Sequence, residues 1–355
     1  MADPNTSPSQ FRPATGDGDV RRKLPVLVDA VEMWRFAAGA GIAGELKALH
    51  RPRPALSLLA AALDWILISL AAIATSMFGW VALPFALLVV GNRQRALGNL
   101  LHDASHWSLY GKRRHSELLA NILFCWPLGV SMAVYRDEHE SHHRFLGDRV
   151  RDPDYIHDES HLSRGWLYAW WMQVRSPTMF TGAVLGTVGR MDAASLLGVA
   201  GWWACVLSLV SLASSPRDAL LFFALWVAAK ATIFHAITTF REISDHVGLT
   251  PGSLIGFSRN HPFDSVLGEL IHPHHNGYHL LHHLTPAMPF HALPRAHALL
   301  MRWPPYAAGE HCYSYFTGET SAVRSWVYRF APAGAQHGQA APPRRSPGRH
   351  AAGSG

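Results

Sequence analysis

Three short histidine clusters are the residues of this chain whose types and spacing best fit a chemical role. They are His102-Asp103-Ala104-Ser105-His106, His139-Glu140-Ser141-His142-His143 and His279-Leu280-Leu281-His282-His283. Histidines that are three or four residues apart share one face of a helix. Eight imidazoles are too many for one zinc ion, which usually takes four ligands, and imidazole is a good ligand for iron. The clusters therefore predict a dinuclear metal site with nitrogen ligands.

The composition favours a membrane protein over a soluble one. The chain is 49% hydrophobic and only 16% charged, whereas soluble domains carry about 25% charged residues. Its net charge of +6 fits the surplus of Lys and Arg in the cytoplasmic loops of membrane proteins. Since no basic-aromatic nucleic-acid motif accompanies that charge, we expect no nucleic-acid partner.

Four apolar runs are long enough, or nearly so, for the roughly 20 residues that a membrane-spanning helix needs. They cover about residues 55–78, 80–100, 195–213 and 218–240. Short linkers join the first to the second and the third to the fourth. The predicted fold is therefore an all-α integral membrane protein with two transmembrane helical hairpins, or four spans, and a cytosolic helical cap that holds the metal site.

The distribution of Lys and Arg predicts the orientation of these spans. Seven basic residues between Arg21 and Arg53 precede the first span, and five between Arg93 and Arg114 follow Gly91, where the apolar part of the second span ends. The hairpin tips carry only Arg217. By the positive-inside rule, both termini and residues 92–194 lie in the cytoplasm. All three histidine clusters then lie on the same, cytoplasmic side of the membrane.

The remaining segments complete the predicted domain organisation. Residues 118–135 are interrupted by Pro127-Leu128-Gly129, and residues 165–189 are rich in Trp, so we expect both to lie at the membrane interface. Residues 1–20 and 334–355 have the composition of disordered termini, the second of them basic. One membrane domain, residues 21–333, lies between them.

The three clusters, together with the sequence around them, resemble the membrane fatty-acid desaturase and hydroxylase superfamily over about residues 85–300. Tyr135-Arg136 precedes the second cluster and Asp152-Pro153-Asp154 follows it. After the third cluster come Leu284-Thr285-Pro286-Ala287-Met288-Pro289 and then Leu293-Pro294. This ending is more similar to bacterial acyl-chain desaturases than to alkane hydroxylases.

The resemblance implies two iron ions held by the eight histidines of the clusters and by a ninth near the cytoplasmic end of the fourth span. His246 occupies that place, and His235, deeper in the apolar run, is the competing candidate. The implied ligands are His102, His106, His139, His142, His143, His246, His279, His282 and His283.

Metal-bound imidazoles need an acceptor for the second ring nitrogen. The candidates for this supporting role are Asp103, Glu140, Asp152, Asp154, Glu242 and Asp245. Asn276 is a candidate for holding a water between or beside the metals. His274 and His275 are interpreted as loop residues near the site. His115, His157, His161, His261, His291, His297, His311, His337 and His350 are interpreted as surface or structural residues.

The family resemblance implies O2-dependent desaturation of an acyl chain carried by a lipid, coenzyme A or an acyl carrier protein. A hydroxylase or ketolase of a fatty acid, alkane or carotenoid is the alternative, because the same histidine clusters serve both reactions. The sequence has no haem-binding domain, Cys-rich ferredoxin motif or nucleotide-binding GxGxxG fingerprint. We therefore expect electrons from a separate ferredoxin or similar carrier with its reductase.

A histidine-rich metal transporter is a remote alternative from another class of protein. Transport requires ionisable residues aligned through the spans, and the predicted spans contain only Asp64, Lys230 and His235 near their centres. The clustered histidines lie outside the spans, which favours an enzyme.

Overall fold

The computed structural model describes residues 26–110, 113–156, 160–263 and 265–327. The predicted disordered termini, residues 1–20 and 334–355, lie outside these ranges. So do His157, His337 and His350.

The described chain is mostly helical. Its α-helices are α1 (Val26–Gly39), α2 (Ala43–Leu49), α3 (Pro54–Phe78), α4 (Leu83–Ser105), α5 (Arg113–Ala120), α6 (Trp126–Leu128), α7 (Met132–Phe145), α8 (Trp166–Val174), α9 (Pro177–Leu185), α10 (Ala193–Ala213), α11 (Pro216–Ala229), α12 (His235–His246), α13 (Leu254–Phe257), α14 (Val266–Ile271), α15 (His279–Leu284), α16 (Leu293–Leu300), α17 (Pro304–Ala307) and α18 (Ala322–Val327). Turns of π-helix at Asn121–Cys125 and Lys230–Phe234 join α5 to α6 and α11 to α12. The strands β1 (Arg259–Asn260) and β2 (Glu310–His311) form one short parallel pair.

Three helical stretches of the described residues are long and apolar enough to cross a membrane: Pro54–Val81, Ala193–Ala213 and Pro216–His246. A fourth exists if Arg114–Leu128 and Met132–Phe145, which are bent by 88° at the break between them, form one broken span. The break lies at Gly129, which has a φ of +67° and is the last residue of the Pro127-Leu128-Gly129 interruption noted in the sequence. The protein is therefore mostly helical, with three or four candidate membrane helices.

The predicted second span, residues 80–100, differs most from expectation. Helix α4 runs on to Ser105, and it is not among the helices apolar enough to cross a membrane. Its polar residues are buried against partners: Arg93 forms an ion pair with Asp64 of α3 at 3.0 Å, and Gln94 donates to the Trp226 carbonyl at 2.9 Å. Because these contacts satisfy the polar side chains, the helix continues through the protein interior.

Helices α3 and α4 pack along each other, and α4 also packs on α11 and on the π-helical turn that follows it. A Cβ atom at Gly91 would lie 2.6 Å from the Cβ of Ile233, so glycine permits this close approach. Trp65 of α3 stacks on Trp226 of α11 with ring centroids 5.5 Å apart. The packing fixes the ends of α4 and α12, where predicted metal ligands lie.

Candidate metal centre

Helix α4 and the residue after it present the first pair of predicted ligands. His102 lies in the last turn of α4, and His106 caps its C-terminus. The spacing of four residues places both imidazoles on one side of the chain. His102 is 4% exposed, so its ring faces the interior.

Helix α7 presents the second set, His139, His142 and His143, after the 88° bend. Helix α15 presents the third set, His279, His282 and His283, and all six of its residues are buried. His246 is the last residue of α12. Four separate helices therefore bring nine imidazoles together.

The nine imidazoles form two groups in which the candidate ligand atoms lie within 4.8 Å of one another. The five-histidine group consists of His102, His106, His139, His143 and His282. The four-histidine group consists of His142, His246, His279 and His283. The adjacent residues His142 and His143 contribute to different groups.

Distances between Nε2 atoms in the five-histidine group fit convergence on a shared ion. His106, His139, His143 and His282 form a series with successive Nε2–Nε2 distances of 2.9, 3.0 and 2.9 Å. Each neutral Nε2 offers either one hydrogen or one lone pair, so the series cannot be a chain of ordinary hydrogen bonds. Ligands about 2.1 Å from a metal and at right angles to one another lie about 3.0 Å apart.

The four-histidine group has the same spacing. The Nε2 atom of His279 lies 2.8 Å from that of His246 and 3.0 Å from that of His283. The ring of His142 packs against those of His246 and His283, with centroids 5.2 and 5.1 Å apart. Each group therefore has the geometry expected of imidazoles that together hold one metal ion.

Burial keeps at least four of these histidines neutral, which is the form in which imidazole binds metals. Burial lowers the pKa of His106 to about 3, and it lowers the pKa values of His279, His282 and His283 well below their usual range. At pH 7 these rings carry lone pairs for coordination.

In the four-histidine group, hydrogen bonds orient two of the rings. His142 Nδ1 donates to Asp152 Oδ1 at 2.7 Å, and His246 Nδ1 donates to the carbonyl of Phe257 at 2.6 Å. Each bond places the ring hydrogen on Nδ1 and leaves the Nε2 lone pair free. Burial alone would raise the pKa of Asp152, but its bonds with His142 and with the N–H groups of Gly147 and Asp154 outweigh burial and lower it. Asp152 is therefore ionised at neutral pH.

The nearest carboxylate to the five-histidine group is Asp103, whose Oδ1 lies 3.4 Å from His102 Nδ1. Its Oδ2 accepts a hydrogen bond from the Phe290 N–H at 2.8 Å. Burial raises the pKa of Asp103 to about 7, so at neutral pH it carries only part of a negative charge. Among the described residues, Nδ1 of His102 has no hydrogen-bond partner.

The other predicted supporting residues lie at different distances from the histidines. Asp154 Oδ2 is 3.7 Å from His142 Nδ1. Glu242 lines a small pocket together with His246 and Asp154. Asn276 is buried and accepts a 3.4 Å hydrogen bond from Arg241 rather than from a histidine. Glu140 is exposed, and no hydrogen bond or ion pair joins it to a histidine in the described part of the chain.

The competing candidate His235 and the loop histidines His274 and His275 lie outside both groups. His235 Nε2 donates to the Val174 carbonyl at 2.8 Å, and His274 pairs with Asp64 at 2.8 Å. His275 and His274 have φ values of +54° and +56°, which suits the loop interpretation. The structure therefore brings His246, and not His235, to the other eight.

Two features near the histidines are not predicted from the sequence: the burial of Arg95, and the grouping of Asp245, a candidate supporting residue, with His261 and His272. Arg95 is 8% exposed, and among the described residues its hydrogen bonds go to the neutral side chains of Asn99 and Thr238. The bond to Thr238 ties α4 to α12. Asp245, His261 and His272 form a third buried group of potential ligands. Asp245 directly precedes His246, and His272 lies two residues before His274. No regular spacing relates His261 to either of them.

Comparisons with known proteins identify the family of this chain. The model of the family described as fatty acid desaturase matches residues 78–318, which include all nine predicted ligands. A dihydrorhizobitoxine desaturase from Bradyrhizobium elkanii is 26% identical over 281 residues, covering 72% of this chain and 78% of that protein. A sphingolipid delta(4)-desaturase from Candida albicans is 33% identical over 81 residues, which is 22% of each chain. This chain belongs to the fatty acid desaturase family.

Proposed function

We propose that this protein is an integral-membrane desaturase that introduces a double bond into an acyl chain at two iron ions. The observation that carries the proposal is the assembly of nine imidazoles, six buried and three half-buried, into a group of five and a group of four. The proposed ligands are the members of the five-histidine group and the four-histidine group.

The donor set fits iron better than zinc. The five nitrogen ligands of one group exceed the usual four of zinc. Both groups consist of histidines alone, and imidazole is a good ligand for iron. Iron ions bound there would supply the O2-derived oxidant needed to remove hydrogen from an unactivated carbon. The protein's part is to enclose the imidazoles, keep most of them neutral and fix the orientation of His142 and His246 through Asp152 and the Phe257 carbonyl.

The membrane setting is supported by the outer surfaces of the apolar helices. Leu70 and Ile73 of α3 and Leu197 and Leu212 of α10 are each more than half exposed, and α10 buries none of its residues. Such an apolar surface is costly in water and favourable in lipid. We propose a multi-pass protein of the cytoplasmic membrane, with both termini and the histidine groups on the cytoplasmic side, as the distribution of basic residues predicts.

The reaction requires electrons from another protein. Removing two hydrogens from a chain and reducing O2 to two waters consumes two further electrons and two protons. We propose an external ferredoxin or similar carrier with its reductase. The exposed Arg114 belongs to the basic segment Lys112-Arg113-Arg114. The positive charge of this segment would attract an acidic carrier.

The substrate proposal rests on the family and is an acyl chain on a lipid, coenzyme A or a carrier protein. The relatives share the reaction type, since both are named as desaturases. The substrates in their names differ from each other, so the two relatives support desaturation more than any single substrate.

Mass spectrometry of lipids and small metabolites from expressing cells grown under ¹⁸O2 tests this function. We expect a product that is two hydrogens lighter, without label, and absent from a His142→Ala control that still inserts into the membrane. A His142-dependent product with one labelled oxygen would instead establish a hydroxylase. A product formed equally by the control would contradict the assignment of the site.

A further inference from the structure

The third buried cluster, here called the Asp245 cluster, consists of Asp245, His261 and His272. Asp245 lies on α12, His261 directly follows β1, and His272 follows α14. Their exposed fractions are 1%, 3% and 4%. The Nε2 atom of His272 lies 3.6 Å from Asp245 Oδ1, and one potential ligand atom of each residue lies within 4.8 Å of the others.

Several polar atoms of this cluster lack hydrogen bonds within the described residues. They are both carboxylate oxygens of Asp245, Nε2 of His272 and both ring nitrogens of His261. Buried polar groups in folded proteins almost always have a partner, which can be an ordered water or an ion. Three unsatisfied side chains gathered in one place therefore indicate a bound species.

One oxygen of Asp245 is engaged in an ion pair. Asp245 Oδ2 pairs with Arg241 at 2.9 Å and lies 3.6 Å from Nδ1 of His279, a member of the four-histidine group. The charge of Arg241 is thus directed at Oδ2, while Oδ1 faces His272. The carboxylate separates the Asp245 cluster from the four-histidine group.

A cavity of about 220 Å³ adjoins the cluster and is lined by His261, His272, Glu269 and Tyr315. The Tyr315 hydroxyl lies 2.6 Å from His272 Nδ1. In the tautomer in which Nδ1 donates its hydrogen to this hydroxyl, the lone pair lies on Nε2. The cavity can admit an ion and water, and the Glu269 carboxylate in its wall is paired with Arg93 at 2.9 Å.

We propose that Asp245, His261 and His272 bind one zinc-type divalent ion that is separate from the proposed iron pair. Two imidazoles and one carboxylate, with a water as fourth ligand, form an established zinc donor set. The 3.6 Å separation of His272 and Asp245 is close to the roughly 3.4 Å expected between tetrahedral ligands about 2.1 Å from a metal. The ion joins α12, the residue after β1 and the loop before α15, and it fixes the carboxylate that faces His279.

Zinc binding to the full-length, iron-loaded protein in detergent tests this proposal. We expect one zinc ion per chain to remain after gel filtration, with only nitrogen and oxygen neighbours in its X-ray absorption spectrum. His261→Gln and His272→Gln should each lose this zinc and keep the iron content of the wild type. His291→Gln, which changes a histidine outside the cluster, should retain both metals.

A second, milder variant guards against misfolding of the histidine variants. Tyr315→Phe removes only the acceptor of His272 and should weaken zinc binding by about 10–100-fold. No zinc bound by the wild type would show that water alone satisfies the cluster and would overturn the proposal. Zinc retained equally by both histidine variants would also overturn it. Iron content and product formation are read separately, so either outcome is distinct from failure of the proposed desaturase function.

Discussion

The five-histidine group and the four-histidine group hold their imidazoles in different ways. In the four-histidine group, an ionised carboxylate and a main-chain carbonyl orient His142 and His246 through bonds of 2.7 and 2.6 Å. In the five-histidine group, the nearest carboxylate is the half-neutral Asp103 at 3.4 Å from His102. We infer that one group relies on the orientation of its ligands and the other on their number.

The largest expected effect is the loss of a ligand itself. His142→Ala leaves three imidazoles in the four-histidine group, whereas His139→Ala leaves four in the other. The rate of product formation should fall by more than about 100-fold in both variants. Loss of a ligand's hydrogen-bond partner alone typically costs about 10–100-fold. His142→Ala should lose the greater share of bound iron, measured per chain by elemental analysis. Greater iron loss from His139→Ala would reverse the comparison.

The next largest effect is expected for Asp152→Asn. The substitution keeps the shape of the side chain but removes the charge that holds His142 Nδ1–H, so metal affinity at the four-histidine group should fall by about 10–100-fold. Competition with a chelator measures this affinity. The control is Glu140→Gln, which neutralises an exposed acid in the same histidine cluster and should leave affinity unchanged. Equal losses in both variants would point to general electrostatics rather than to orientation of His142.

A smaller effect is expected for Asp103→Asn. Its carboxyl group has a pKa raised by burial to about 7, so the substitution removes only part of a charge at neutral pH. Metal affinity at the five-histidine group should fall by less than about 10-fold, by the same competition assay. A loss as large as that of Asp152→Asn would show that both groups depend on an oriented carboxylate.

The smallest effect is expected at the packing of α4, which carries two ligands of the five-histidine group. Gly91→Ala forces a Cβ to within 2.6 Å of Ile233, and such overpacking costs about 1–3 kcal/mol of unfolding free energy. We expect a lower melting temperature in detergent with metal still bound. The control is Gly201→Ala in α10, where nothing lies within 4 Å of an added Cβ. A melting temperature unchanged in Gly91→Ala would mean that α4 can shift without loss of stability.

The sequence predicts which histidines meet, because spacing of three or four residues places them on helix faces and the resemblance supplies His246. It does not predict that His142 and His143 separate into different groups. That separation depends on the relative orientation of four helices, which no local pattern encodes. Among the supporting residues, Asp152 contacts His142 because Phe145 to Asp152 folds back at Gly147, whose φ is +77°.

The rest of the site escapes sequence reasoning for similar reasons. The polar half of α4 was interpreted as part of a span, because its partners Asp64 and Trp226 come from other helices. The Asp245 cluster joins residues up to 27 positions apart without periodic spacing. Burial and the lack of hydrogen bonds reveal this cluster, and neither can be read from the sequence.

Mössbauer spectroscopy of the protein loaded with two equivalents of ⁵⁷Fe tests the central claim most directly. Two iron sites with different ligand numbers predict two quadrupole doublets of equal area. Asp152→Asn should shift only one of these doublets. A single doublet for one iron per chain, or equal shifts of both doublets in Asp152→Asn, would contradict the account of two differently held sites.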